Sequence, residues 1–329
     1  MLIAEFEKQS FTQVVFPHEK MDWSCCIEDA RANFVNIINA IRKFQTCLVV
    51  CYDIQEVQSY FEDHTNIKFV KYSANDTWAR DTSALSIKAN GEVKLLNFIF
   101  NAWGGKFNSE LDNKMSKILA PYYSCAMEDI DFILEGGGVE SNGEGLILTT
   151  SECMLNPNRN SAFNKEQITQ KLKEYFEAEE ILYVDNGYLA GDDTDSHIDT
   201  LARFISKDTI MYVACDDEND EHYEALKKME DELKEFVIKH KLKLIKLPMC
   251  SAVYDDNERL PATYANFLFV NDGVLVPTYN VKEDEKALEI FKWAMPDREV
   301  VGVECATLIR QHGSLHCVTM NFASGISLN

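Results

Sequence analysis

Thr12-Gln-Val-Val-Phe16, then Ile27–Lys43, then Cys47-Leu-Val-Val-Cys-Tyr52 is the stretch that sets the fold class of this chain. The outer pieces are short apolar runs rich in β-branched residues, and they read as strands. Between them, Ile27, Ala30, Phe34, Ile37, Ile38 and Ile41 recur at helical spacing, so the unit is strand–helix–strand. The alternation continues to the end of the chain. Strands are expected near Ile67–Tyr72, Ser83–Lys88, Val93–Phe100, Asp131–Leu134, Leu146–Thr150, Ile181–Val184, Thr209–Cys215, Lys243–Leu247, Ala265–Val270 and Gly273–Pro277. Helices are expected near Ser109–Leu119, Lys165–Phe176, Glu221–His240 and Glu283–Ala294. Asn90-Gly91, Asn142-Gly143 and Asp272-Gly273 each lie between apolar runs and predict hairpins. This is an α/β pattern with repeated strand–hairpin–helix units. No proline- or serine-rich linker divides it, so one domain over residues 1–329 is expected.

The composition narrows the function classes. Hydrophobic residues make up 46% and charged residues 26% of 329 positions, which is enough for a sizeable core and not a disordered composition. Acidic residues number 54 against 32 basic ones, a formal charge of −22. Such a surface repels nucleic acid and anionic membrane and attracts small cations. No run approaches the roughly 20 apolar residues that span a bilayer, and Met1–Lys8 lacks the features of a secretory leader. A cytoplasmic location is the expectation, with the ten cysteines reduced. Cys47 and Cys51 share a strand face but lie roughly 13 Å apart along it, too far for a bridge or a shared metal. Cys25-Cys26 opens a helical pattern and reads as structural. The charge run Asp216–Phe236 keeps Tyr223, Leu226, Met229, Leu233 and Phe236 on one stripe, so it reads as the solvated face of a packed helix.

The chemistry is concentrated in two segments, Gly191-Asp-Asp-Thr-Asp-Ser-His-Ile-Asp199 and Gly313-Ser-Leu-His-Cys317. A thiol, an imidazole and carboxylates drawn from distant positions suit nucleophilic attack on a cationic carbon. If the first segment is extended, Asp193, Asp195, His197 and Asp199 share one face and favour a bound positive group. A calcium loop would need glycine at its sixth position and glutamate at its twelfth, where Ile198 and Phe204 stand. Thr77-Trp-Ala-Arg-Asp81, Phe100-Asn-Ala-Trp-Gly-Gly105 and Phe132-Ile-Leu-Glu-Gly-Gly-Gly138 each set an apolar strand beside a polar or glycine-rich turn. Taken singly, Arg80–Asp81 reads as an ion pair, and Glu135 as a strand-end charge before a glycine turn. The glycine runs at Asn101–Gly105 and Glu135–Gly138 read as lids or tight turns. No Walker loop, dinucleotide fingerprint or His-Glu-x-x-His pattern is present, so neither a nucleotide nor a metal cofactor is expected.

Together and in this order, the segments resemble the agmatine deiminase family, relatives of the bacterial peptidylarginine deiminases in the guanidine-modifying (pentein) superfamily. The resemblance runs from Phe16-Pro-His-Glu-Lys-Met-Asp-Trp23 through Trp78-Ala-Arg-Asp81, Phe100–Phe107, Glu135-Gly-Gly, Gly143–Thr150, Asn156-Pro-Asn-Arg-Asn160 and Asp193–Asp199 to Tyr264-Ala-Asn266 and His316-Cys317. It implies a five-bladed α/β propeller, with pseudo-fivefold repeats around a central active-site funnel. It implies Cys317 as nucleophile and His197 as general acid/base. Asp81 and Asp199 would grip the guanidinium, and Glu135 would orient His197. It also implies hydrolysis of agmatine to N-carbamoylputrescine and ammonia through a Cys thiouronium, a step of putrescine synthesis, without cofactor, in a homodimer. Trp78, Trp103, Asp193 and Asp195 are the candidates for holding the distal amine.

The chain departs from the family pattern at Thr82-Ser83-Ala84, at Ser196 in place of glycine, and at Met320 where glutamine is common. These positions bear on the pocket for the substrate tail. An arginine or peptidylarginine deiminase is the alternative, and would need a cation for the substrate carboxylate; only Arg80 and Arg159 stand near the motifs. A non-catalytic polyamine-binding protein has no need of the thiol. An amidinotransferase is chemically close.

Overall fold

The computed structural model describes residues 1–329. It contains five sheets of three or four strands and one two-stranded ribbon. Each of the five sheets repeats one pattern, an antiparallel pair whose second strand then pairs in parallel with a third. The second sheet is Leu85–Ala89, Glu92–Ile99 and Met127–Ile133; the third is Glu140–Ser141, Leu146–Thr150 and Glu180–Val184. The fourth is Ala202–Ser206, Thr209–Ala214 and Lys243–Pro248, and the fifth is Leu268–Val270, Gly273–Thr278 and Glu299–Glu304. A parallel pair cannot be joined by a tight turn. In each sheet a helix makes that crossing: Ile27–Ile41, Asp112–Leu119, Lys165–Phe176, Tyr223–His240 and Asp284–Ala294.

The first sheet joins the two ends of the chain. Gln9–Val15 pairs in parallel with Thr46–Cys51, which pairs in parallel with Ile67–Lys71. Its antiparallel neighbour is Thr319–Ala323, more than three hundred residues downstream, with Val14 opposite Thr319. One hydrophobic core runs from Leu2 to Ile326, and a smaller cluster packs around Leu201, Phe204 and Tyr212 beneath Met229 and Leu233. No helix is long and apolar enough to cross a membrane.

The expected strands and helices are present with ends shifted by a few residues, and all three expected hairpins form. Among the strands of the five sheets, three were not expected, Ala202–Ser206, Glu299–Glu304 and Thr319–Ala323, and neither was the ribbon Tyr254–Asp255 with Glu258–Arg259. Ala202–Ser206 and Thr319–Ala323 follow polar functional segments with no turn residue to announce them. Glu299–Glu304 is an edge strand with one buried residue, and Gly302 interrupts its run of valines.

Candidate active site

The repeat explains how the site is assembled. Asp81 lies four residues before the first strand of the second sheet, Glu135 five before that of the third, and Asp199 three before that of the fourth. Asn266 lies two residues before Leu268–Val270, and Cys317 two before Thr319–Ala323. The same kind of connection, entering the antiparallel strand of each unit, supplies one functional residue five times.

Asp81 sits in the single helical turn Ala79–Thr82 and is buried. Its Oδ1 accepts the Gly137 N–H at 2.9 Å and its Oδ2 accepts the Trp103 indole N–H at 3.0 Å. Burial pushes its pKa up, and the charge of His197 opposes the rise. Asp199 is fully buried; the His316 ring donates from Nδ1 to its Oδ2 at 2.6 Å, while its Oδ1 has no partner. Burial works upward here too, but the hydrogen bond and charge of His316 prevail and hold the Asp199 carboxyl below its usual range. His316 in turn meets Glu5 Oε2 at 2.5 Å from Nε2, and Glu5 lies 3.2 Å from Arg80 and 3.0 Å from Arg203. A buried charge network therefore stands behind the clamp. Glu5 belongs to an N-terminal segment that carried no signal in the sequence.

His197 lies between two carboxylates, with Nδ1 3.7 Å from Asp81 Oδ1 and Nε2 3.9 Å from Glu135 Oε2. Burial alone would lower its pKa, but Asp81 foremost, then the Cys153 sulfur and Glu135, raise it well above 6.5. These surroundings favour the imidazolium over the neutral ring. Glu135 was expected to orient His197; at 3.9 Å, with His197 Nε2 lacking a hydrogen-bond partner, it acts by charge rather than by a hydrogen bond. Arg159 is what fixes Glu135, donating from Nε to both carboxylate oxygens at 3.0 and 2.8 Å. Despite burial, the Glu135 carboxyl is held below its usual range by His197 and Arg159.

Gly137 occupies the centre of this cluster. A Cβ there would lie 2.6 Å from His197 Nδ1, 2.9 Å from Asp199 Oδ2 and 3.1 Å from Asp81 Oδ1. Only a hydrogen fits. The Glu135–Gly138 turn is buried floor and not a lid, and its glycine is required by close approach. Asn101–Gly105 is also a tight turn, with Ala102, Trp103, Gly104 and Gly105 all at positive φ. The Asn101 side chain braces it by accepting the Gly104 N–H at 2.9 Å.

Cys317 follows a loop anchored by Asn266, whose Oδ1 accepts the backbone N–H of His316 at 2.8 Å and of Cys317 at 3.3 Å. Asn266 is fully buried, and its Oδ1 lies 3.4 Å from the Cys317 sulfur. It was part of the quoted pattern but had no assigned task. Burial, then the charges of Asp199 and Asp81, push the Cys317 thiol pKa well above its ordinary value. These surroundings favour the thiol over the thiolate.

Cys317 opens onto a cavity of about 200 Å³. Asp81, Trp78, Trp103 and Asp193 line it as expected, joined by Asp22, Asp76 and His312, which sequence reasoning missed. Burial raises the Asp76 pKa to about 6 and also raises that of Asp193. Trp78 is backed by Gly313, where a Cβ would fall 2.1 Å from the indole. No lysine or arginine lines the cavity.

The expected extended run Asp193–Asp199 does not form. Asp195 and Ser196 have φ of 66° and 59°, and Ile198–Thr200 is a 3-10 turn, so the acids point to different places. Asp193 faces the cavity. Asp195 does not line it: it pairs with Arg159 at 2.7 Å and Lys106 at 2.9 Å, which corrects its assignment to the substrate. His197 and Asp199 are buried within the cluster.

Comparison with known proteins places these features in a family context. Residues 1–322 match the model of the Porphyromonas-type peptidyl-arginine deiminase family. An agmatine deiminase of Pseudomonas aeruginosa is 30% identical, with 96% of this chain and 93% of that one covered. A Cys→Ser variant of a C. jejuni agmatine deiminase, solved with substrate bound, is 43% identical with a TM-score of 0.94, covering 98% of this chain and 96% of the other. A crystal structure provisionally named a peptidyl-arginine deiminase is 47% identical, with a TM-score of 0.95 and 98% of each chain covered.

Proposed function

Because the chain belongs to the Porphyromonas-type peptidyl-arginine deiminase family, we propose that it hydrolyses agmatine to N-carbamoylputrescine and ammonia, a step toward putrescine. The observation that carries the choice of substrate is the lining of the cavity. Asp22, Asp76, Asp81 and Asp193 face it beside Cys317, and no lysine or arginine does. Agmatine has a cation at each end and no carboxylate, so its charge matches that lining. Arginine or peptidyl-arginine would bring an acceptor group with no guanidinium or ammonium to receive it. The two arginines near the motifs are engaged elsewhere, Arg80 with Glu5 and Asn321, and Arg159 with Glu135 and Asp195. The relatives named agmatine deiminase support the same reading.

In this reading, Asp81 and the free Oδ1 of Asp199 hold the guanidinium with its carbon toward sulfur. The arriving cation offsets the two carboxylates that keep Cys317 protonated, and the thiol releases its proton to solvent water. The thiolate adds to the guanidinium carbon. His197, as imidazolium, protonates the departing nitrogen; ammonia leaves and a Cys317 thiouronium remains. Neutral His197 then takes a proton from water as the oxygen adds to the thiouronium carbon. The C–S bond breaks as the hydroxyl proton passes to water, leaving the neutral ureido product and the thiolate, which regains its proton from solvent. Asp76, Asp22 and Asp193 receive the distal ammonium near Trp78. The five sheets are read as the blades of one propeller domain over residues 1–329, closed by the pairing of the terminal strands. A homodimer, on the same resemblance, and a cytoplasmic location, on the reading of the ten cysteines as reduced, complete the reading.

The test is ammonia and ureido formation from agmatine, arginine and a peptidyl-arginine in parallel, with Cys317→Ser as control. Turnover of agmatine lost in the serine variant is the expected result. Free arginine turned over as fast as agmatine would overturn the substrate assignment.

A further inference from the structure

Cys25 and Cys26 were read from the sequence as structural, and the fold puts them in a different setting. Their sulfurs lie 3.1 Å apart, about 1 Å beyond a covalent S–S bond. Cys25 is exposed and Cys26 is buried. Cys26 caps the helix Ile27–Ile41 with no side-chain hydrogen bond, so the pair sits at the positive end of a fifteen-residue dipole. The Arg310 guanidinium is close enough for its charge to act on both thiols. Burial, then Cys25 itself, pushes the Cys26 thiol up to about 11, so the reactive member of the pair is the exposed Cys25, and the 3.1 Å approach of the sulfurs is what sets the pair apart from core fillers.

The pair also touches the cavity wall. Gln311, which lines the cavity, donates from Nε2 to the Cys25 sulfur at 3.7 Å. On the other side, Asp22 lines the cavity three residues before Cys25. Between them, the Cys26 N–H donates to the Trp23 carbonyl at 2.9 Å, and the Trp23 ring packs 5.9 Å from that of Trp78, another lining residue.

We propose that Cys25 and Cys26 form an oxidisable dithiol at the rim of the active-site cavity, converted by a hydroperoxide to a vicinal disulfide that loosens the rim. The exposed Cys25 meets the oxidant first. Its thiolate attacks the peroxide: an S–O bond forms, the O–O bond breaks, and the alcohol or water leaves. The Cys26 thiol then attacks the Cys25 sulfenic acid; the S–S bond forms, the S–O bond breaks, and hydroxide leaves with the Cys26 proton as water. Two thiols are oxidised and one peroxide is reduced. Adjacent residues have Cα atoms about 3.8 Å apart, below the usual disulfide range, so the bond is strained and easily reduced. Closing it draws Cys25 away from Gln311 and twists the cap of Ile27–Ile41. The catalytic group Cys317 is not touched, so the change falls on KM more than on kcat.

The rim effect rests on the deiminase reading; the thiol chemistry does not, and the two are measured separately. The full chain is treated with hydrogen peroxide, and the peptide holding both cysteines is mapped by mass after alkylation. Loss of two hydrogens from that peptide, reversed by dithiothreitol and absent in Cys25→Ser, is expected. The wild type is then assayed on agmatine before oxidation, after it, and after reduction. KM should rise about two- to fivefold, as for loss of one modest hydrogen bond, recover on reduction, and stay constant in Cys25→Ser. Wild type inactive on agmatine before oxidation would overturn the deiminase reading alone; the mapping would still decide the thiol chemistry. Both cysteines still alkylated after peroxide, direct overoxidation of Cys25, or a disulfide that leaves KM unchanged would each overturn the inference.

Discussion

Gly137→Ala should remove activity while leaving the fold in place. Its Cβ would lie 2.6 Å from His197 Nδ1 and 2.9 Å from Asp199 Oδ2. Restoring ordinary contact requires the imidazole to retreat by roughly 0.8 Å and the carboxylate by roughly 0.5 Å, taking about 3.4 Å as normal. Displacements approaching 1 Å at reacting groups cost about 10²-fold in rate, or about 2.7 kcal/mol of barrier. The overpacking itself destabilises by about 1–3 kcal/mol, which a protein of this size survives. Gly138→Ala is the matched control, because one position further on the added Cβ meets only Cys153 Sγ at 3.2 Å and the His197 ring at 3.9 Å. Ammonia release from agmatine gives kcat and KM, and urea denaturation gives stability. Gly137→Ala within threefold of wild type would refute the reasoning. So would equal losses at the two glycines.

Other perturbations separate the supporting contacts. Trp103→Phe keeps the ring but deletes the indole N–H donated to Asp81 Oδ2 at 3.0 Å. KM for agmatine should rise about tenfold or more, as for a hydrogen bond to a charged group; an unchanged KM would show that the Gly137 N–H suffices. Arg159→Met leaves Glu135 without its hydrogen-bonding partner, and the buried Glu135 charge should cost about 3–5 kcal/mol in urea denaturation. Stability should also carry a His197 signature. Its folded pKa is raised above the unfolded value near 6.5, so its contribution is complete below about 6.5 and is lost as pH climbs through the folded pKa. Urea midpoints measured upward from pH 6 should fall more steeply in wild type than in His197→Gln, and parallel slopes would contradict this.

Local periodicity was enough to place most of the scaffold. Lys165–Phe176 and Leu146–Thr150 form as read, because each keeps a strong pattern and ends on clear signals. The helix even carries a capping box at Asn164 and Gln167. What sequence spacing could not supply was depth and pairing. Nothing in Thr319–Ala323 indicates that its partner is Gln9–Val15, and nothing in Glu5 indicates that it reaches His316. Asp193 and Asp195 look equivalent in sequence, yet positive φ at Asp195 turns one toward the cavity and the other toward Arg159. The motif residues were legible as types, and Cys317, Asp81 and Asp193 do share the cavity. Their supports, Gly137, Asn266 and His316, act by close approach or by bonding across the repeat, which no local window contains.

The first sheet sets a timetable for the living molecule. Its antiparallel edge is Thr319–Ala323, and the nucleophile lies two residues before that strand. Until Thr319–Ala323 has left the ribosome, Gln9–Val15 waits without that neighbour. Four sheets can form, but the thiol has not yet emerged. A chain cut short just before Cys317 therefore has four of its sheets, no nucleophile and an open strand edge, a form prone to pair with other chains.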